Sequence, residues 1–312
     1  MTGHLRAKIL RFFVAFVCAI VFVHSGAAAS ENPAKPDGTN VTPSIEGQKT
    51  ITLKVMTINV RHNADFWEER FPLIADEIVR LAPDLIGIQE MEIGINQSKT
   101  LMKLIKKRAG PDGLKYEKCE RLKTGSDMFG GEGITIFSRY PIEKKGYADL
   151  EHGRPVIFAR VQIADWLSVD LYNTHLHNIG GDEVKLPQAQ KMIAFEKKND
   201  AGFLTFLTGD MNSSEGSQTI GFFIANSFTD TYRAFHGDKT SVTGNTNPVI
   251  ISKENAPQNF TGRIDYIFMK VPAGWEDRVK IVDSVVCFKN YDDRGLYPTD
   301  HLGVMTTVQI KY

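Results

Sequence analysis

The stretch Pro83-Asp84-Leu85-Ile86-Gly87-Ile88-Gln89-Glu90 decides the fold. Leu85 to Ile88 is a short apolar run, the mark of a strand covered on both faces. It stops abruptly at an amide and a carboxylate. Pro83 closes whatever helix precedes it, because proline disfavours helical geometry in the residue before it. Upstream, Trp67, Phe71, Ile74, Ile78 and Leu81 recur at spacings of 4, 3, 4 and 3. That period lays one apolar stripe along a helix and leaves the charges elsewhere. Before the helix, Ile51 to Ile58 is β-rich and ends at Asn59. The unit is therefore strand, helix, strand, with polar side chains delivered at the strand ends.

The same pattern continues along the chain. Gln97–Arg108 and Leu186–Lys198 read as helices, and a further helix is expected near Gln218. Strands are expected at Ile134–Phe137, Val156–Ile163, Leu167–Thr174, Phe203–Leu207, Ile264–Met269, Val279–Phe288 and Gly303–Ile310. Residues 236–262 are polar and rich in Gly, Asn and Pro, and read as a long surface loop. Many strands with a few interspersed helices imply an α/β (α+β) fold of two packed sheets flanked by helices.

The N-terminus reads as an address. Residues 1–11 carry Arg6, Lys8 and Arg11, Phe12 to Val23 is apolar, and Ala27-Ala28-Ala29 is a small-residue cleavage site. This is the pattern of a secretory signal peptide over residues 1–29. The run is shorter than the roughly 20 apolar residues of a membrane span. No transmembrane anchor is expected after its removal, and the localisation expected is periplasmic or extracellular. Residues 30–50 hold almost nothing apolar and read as a flexible leader. One domain is expected over residues 51–312.

Composition is ordinary, with 42% hydrophobic and 24% charged residues, which excludes a disordered chain or a polytopic membrane protein. The 37 basic and 37 acidic residues balance, but removing the three cations of the signal leaves 34 against 37, a net of −3. Such a surface has no broad attraction for polyanions, which leans away from a sequence-blind nucleic-acid coat. Cys18 leaves with the signal. Cys119 and Cys287 remain, either as a disulfide or as two buried thiols.

Function is read from the polar residues that terminate the strands. Asn59, Glu90, His175, Asp210, Asn212, Asp265, Asp300 and His301 all stand at or beside strand ends. If those ends converge, one pocket holds carboxylates, amides and imidazoles. A phosphate ester suits that inventory. Glu90 with Asp300 or Asp210 would hold a hard cation, Mg2+ or Mn2+, that offsets the phosphate charge. His175 and Asn212 would donate to phosphate oxygens. His301 would orient or deprotonate the water, its ring fixed by Asp265. Taken singly, each residue has a plainer reading. Gln89-Glu90 suits a solvated turn, Gly209 to Ser213 a turn or a helix N-cap, His175 or His177 an ordinary strand-end residue, and Asp265 a partner for Arg263 or another surface cation. Their joint order carries the inference.

That order resembles the endonuclease/exonuclease/phosphatase superfamily. The resemblance rests on Thr57-Ile58-Asn59, Pro83 to Glu90, Gly133 to Arg139, Asn173-Thr174-His175-Leu176, Thr208 to Ser213, Arg263 to Phe268 and Asp300-His301-Leu302. It implies a four-layer α/β/β/α sandwich of two mixed sheets with the site at one end. It implies that Glu90 is the principal metal ligand, with Asn59, Asp300 and Asp210 on the metal side. Asn59, His175, Asn212 and, by a looser match, Arg154 would contact the phosphate. Asp210 or His301 would serve as base, and Asp265 would pair with His301. The implied activity is metal-dependent hydrolysis of a phosphodiester or phosphomonoester by activated water. A secreted nuclease and a non-catalytic phosphate-binding module are the alternatives. The partner expected is a phosphate-ester substrate, whether small molecule, lipid headgroup or nucleic acid, with no obligate protein partner evident. Phe260, Tyr232 and Trp275 would stack on a base or a lipid headgroup, or simply pack.

Overall fold

Period-two alternation builds the layers. In the computed structural model, which describes residues 49–123, 131–237 and 243–312, Leu53 and Val55 face one side of the first strand and Met56 and Ile58 the other, all fully buried. The expected signal peptide, and the leader as far as residue 48, lie outside the described residues.

In chain order the elements are β1 (Thr50–Asn59), α1 (Trp67–Leu81), β2 (Leu85–Glu92), α2 (Gln97–Ala109), β3 (Glu117–Leu122), β4 (Glu132–Ser138), β5 (Ile142–Asp149), β6 (Pro155–Ala164) and β7 (Leu167–His175). They continue as α3 (Asp182–Asn199), β8 (Leu204–Asp210), α4 (Gln218–Ala225), β9 (Thr229–Asp230), α5 (Thr231–His236), β10 (Asp265–Lys270), β11 (Val279–Cys287) and β12 (Gly303–Lys311). Two six-stranded mixed sheets result, in the orders β11-β12-β1-β2-β4-β3 and β5-β6-β7-β8-β10-β9. Leu53, Ile136, Ile157, Leu171, Phe206 and Val308 fill the space between them. Phe71, Ile74 and Ile78 of the expected helical stripe, with Leu101 and Ile105 of α2, cover the outer face of the first sheet. Met192 of α3 and Phe223 of α4 cover the outer face of the second. This is the expected four-layer sandwich. Each fully buried Leu, Ile or Phe contributes about 1.5–3 kcal/mol of transfer free energy to it.

Helix α1 stops as the sequence requires. Ala82 takes a left-handed conformation (φ 49°) just before Pro83 and donates its N–H to the Ile78 carbonyl. The sequence reading omitted β3, β5, β9 and α5. Cys119 belongs to the core between the sheets and Cys287 to the layer under α1, so the two buried thiols are free and occupy different layers. Tyr232 and Trp275 pack on the inter-sheet core, and Phe260 packs near Val249, Tyr297 and Leu302. Among the described residues no helix is long and apolar enough to cross a membrane.

At one end the sheets are stitched by polar groups. Asn173 of β7 donates its amide to the Ile88 and Thr135 carbonyls of the opposite sheet at 2.9 and 3.0 Å. Gln89 donates to the Asn173 oxygen at 2.6 Å. A side chain at Gly87 would collide here, since an added Cβ would lie 2.0 Å from Thr208 Oγ1. The candidate site sits directly beyond this seam.

Candidate active site

Strand register assembles the site. His175 pairs with Asp210 across the parallel β7–β8 ladder, and Asp210 with Asp265 across the antiparallel β8–β10 ladder. Three of the expected site residues thus stand in a row on neighbouring strands. In the first sheet Asn59 pairs with Gln89. Beyond Gln89 the β2–β4 register shifts between Ile88 and Met91, and Glu90 adopts a positive φ of 54°. Such a bulge re-aims a side chain at a cost in backbone strain.

The side chains meet. Asn59 Nδ2 donates to Glu90 Oε1 at 3.0 Å and to Asp210 Oδ2 at 3.2 Å, joining the two sheets. Its oxygen accepts the Arg61 backbone N–H at 2.9 Å, so here the amide faces the carboxylates with its nitrogen rather than offering a ligand oxygen. Asp210 Oδ2 lies 3.5 Å from His175 Nε2 and 3.9 Å from His301 Nε2. His301 Nδ1 hydrogen-bonds Asp265 Oδ2 at 2.9 Å, and Thr246 donates its hydroxyl to the same oxygen at 2.6 Å. Asn212, also at positive φ (46°), gives its backbone N–H to Asp210 Oδ1 and its amide to the Leu176 carbonyl. Asp300 stands at the rim in a 2.6 Å ion pair with Arg61. His177 accepts the Ile179 N–H and serves its own turn.

Residues that the sequence reading passed over complete the arrangement. Glu132, at the start of β4, lies 3.7 Å from His175 Nδ1 and pairs with Lys123. His62 Nε2 lies 3.8 Å from Glu90 Oε2. Ligand atoms of His62, Glu90 and Glu132 all fall within 4.8 Å of one another. Arg70, fully buried, spends all five N–H donors on backbone carbonyls: those of Val60, Arg61, Ala64, Asp65 and Pro298. It thereby clasps the loop after β1 to the loop before Asp300. Glu132 stands beside an apolar strand just as Glu90 does, so a signal for it existed. His62 and Thr246 on loops, and Arg70 among the charges of α1, gave none.

The electrostatics are those of crowded anions. Burial raises the Glu90 carboxyl above its usual range, and the charges of Glu132 and Asp300 raise it further. Burial also raises Asp210 and lowers the His175 imidazole. At His301 burial acts downward too, but the carboxylates of Asp265 and Asp210 outweigh it and carry the ring to about 10. Arg154 is buried within the field of Glu132, Asp210 and Glu90. One of its terminal nitrogens bonds Asn178 at 3.0 Å, while among the described residues the other has no hydrogen-bond partner. A buried charged donor left open beside buried carboxylates fits an anionic ligand held together with a cation.

Residues 56–301 match the Endonuclease/Exonuclease/phosphatase family. The chain belongs to that family. Among curated proteins no relative matches. Among solved structures it resembles an endonuclease/exonuclease/phosphatase family protein from Bacteroides thetaiotaomicron, at 20% identity and a TM-score of 0.67, over 84% of this chain and 99% of that one. It also resembles a mannosyl-6-phosphatase of that organism, at 20% identity and a TM-score of 0.65, over 82% and 99%. The catalytic domain of human nocturnin, with bound sulfate, aligns at 17% identity and a TM-score of 0.60, over 84% and 97%. At these identities the likeness is one of fold.

Proposed function

We propose that this chain is a divalent-metal-dependent hydrolase that cleaves a phosphate ester by in-line attack of an activated water. The observation that carries the proposal is the buried, mutually repelling carboxylate set at one end of the sandwich, with Arg154 open beside it. Carboxylate oxygens with one imidazole suit a hard cation, Mg2+ or Mn2+. Glu90 and Glu132 would hold it, with His62 and Asp300 adjacent. When bound, such an ion supplies charge neutralisation at the phosphate and the leaving oxygen.

The chain's own side chains do the rest. Asp265 accepts the Nδ1–H of His301 and fixes that ring. Held protonated by its two carboxylate neighbours, His301 donates from Nε2 to a phosphate oxygen rather than acting as base. Asp210, between the two imidazoles and raised by burial, takes the proton of the attacking water. Arg154, His175 and Asn212 bind the remaining phosphate oxygens. The family and the mannosyl-6-phosphatase neighbour support phosphoester chemistry. The basic start, the apolar run Phe12–Val23 and Ala27 to Ala29 support action after export, in a periplasm or outside the cell.

The test is turnover of p-nitrophenyl phosphate and bis-p-nitrophenyl phosphate by the purified chain, with Mg2+ and with chelator, against Glu90→Gln. Metal-dependent turnover that Glu90→Gln abolishes is the expected result. Absence of metal-dependent turnover across those esters, DNA, RNA, sphingomyelin and inositol phosphates overturns the proposal.

A further inference from the structure

We propose that the depression beside Asn212 is a recognition pocket for the polyol portion of the substrate, so that the chain acts on the phosphate ester of a polyhydroxy alcohol. The proposal rests on the phosphoesterase reading and names its substrate class. The depression measures about 510 Å³, inside the range of small-ligand sites. Its walls are the start of α3 and the connections that leave β7 and β8. Asn212 belongs to both places: it lines the depression, and its backbone N–H holds Asp210. Asn212 is thus the link between the depression and the site.

The lining is polar and offers partners to hydroxyl groups. Lys185 is only 7% exposed and reaches back to give one N–H to the Gly180 carbonyl at 2.5 Å. An ammonium has three donors, so two remain. The Asp182 carboxylate, on the same wall, is pinned by the Gln218 and Thr219 backbone N–H groups at 2.8 and 2.9 Å and by the Thr219 hydroxyl at 2.6 Å. Lysine and aspartate together give the wall both donors and acceptors. Ser214 adds a hydroxyl that is both donor and acceptor, and Ser217, whose oxygen already accepts the Ile220 N–H at 3.2 Å, adds a donor. Among the described residues no aromatic or large aliphatic side chain lines the depression, so a nucleobase or an acyl chain finds no apolar surface there. A sugar or other polyol, whose hydroxyls both give and accept hydrogen bonds, finds a partner at each position.

The experiment compares kcat/KM for a hexose 6-phosphate with that for p-nitrophenyl phosphate, in the wild type and in Lys185→Met and Ser214→Leu. Saturation-transfer NMR of the free hexose, with chelator present, runs beside it. The hexose-to-aryl ratio is expected to fall about tenfold or more in each variant, the penalty for leaving a substrate hydroxyl unpaired. Transfer to the hexose is expected from the wild type and not from Ser214→Leu. Ser214 is exposed on a loop, so its variant stays informative where Lys185→Met fails to fold. A ratio unchanged in Ser214→Leu, or no transfer from the wild type, overturns the pocket. Lack of turnover of every ester with transfer intact overturns the phosphoesterase reading alone.

Discussion

Replacing Arg70 with lysine tests whether a single buried guanidinium organises the loops around the site. Burial lowers the group only to about 10, so it remains charged at neutral pH. Its five N–H groups reach five carbonyls, four on the loop after β1 and one at Pro298, two residues before Asp300. Lysine brings three donors on one atom, which cannot fork around two loops. At least two carbonyls then lose this partner. At about 1–3 kcal/mol for each buried group left unpaired, the loss is about 2–6 kcal/mol. A domain of ordinary stability holds about 5–15 kcal/mol, so the variant still folds or sits at the edge of folding. Urea unfolding followed by circular dichroism measures the loss directly. Turnover of p-nitrophenyl phosphate measured well below the midpoint then reports on Arg61, His62 and Asp300, which ride on the clasped loops, and about a tenfold fall is expected. A stability change under about 0.5 kcal/mol with unaltered turnover would refute the clasp, because two or more buried carbonyls cannot lose a charged donor at so small a cost.

Gly87→Ala is expected to cost about 1–3 kcal/mol or more by forcing the sheets apart at their polar seam. Combining it with Thr208→Ala should restore part of that loss, and a thermal-unfolding double-mutant cycle with no coupling would count against the close contact. Glu132→Gln is expected to raise the Mg2+ concentration for half-maximal turnover about 10-fold or more, read from a metal titration. Asp265→Asn removes the anion that fixes and charges His301. A fall in kcat of about 10²–10³, with the circular dichroism spectrum retained, is the expected outcome, and wild-type kcat would show that the pair has no part in turnover.

How far the sequence is legible depends on where each element lies. Helix α1 reads cleanly because the core imposes a period on it, and strand β2 because both its faces are covered and its run is apolar. Strands β3 and β5 were invisible for the opposite reason: each is the edge of its sheet. Glu117 to Leu122 is mostly charged, and Ile142 to Asp149 carries charges through its middle. Charged side chains are how exposed edges avoid pairing with other chains, and they erase the apolar signature of a strand. Residues at the ends of central strands stood out because an apolar run precedes or follows them. His62 and Thr246 sit on irregular loops, where no period marks a position that only tertiary contact defines.

The core's own alternation extends to most of the site. Asn59 continues the parity of Leu53 and Val55, Glu132 that of Ile134 and Ile136, His175 that of Val169 and Leu171, Asp210 that of Leu204 and Phe206, and Asp265 that of Ile267 and Met269. All ten of those apolar residues face the space between the sheets, so the polar residues that continue their rows face the same space where it opens to solvent. A one-residue slip in any of these strands would carry its functional group to the helical layer, so selection of the core register selects the site as well. Glu90 is the exception. It shares parity with Ile86 and Ile88, which face α1 and α2. An unbroken β2 would therefore point its carboxylate away from Asn59. The register shift after Ile88 and the left-handed backbone at Glu90 reverse that direction and bring Oε1 to 3.0 Å from Asn59. The strain falls on the residue proposed to hold the ion because regular geometry alone would have sent it to the wrong face.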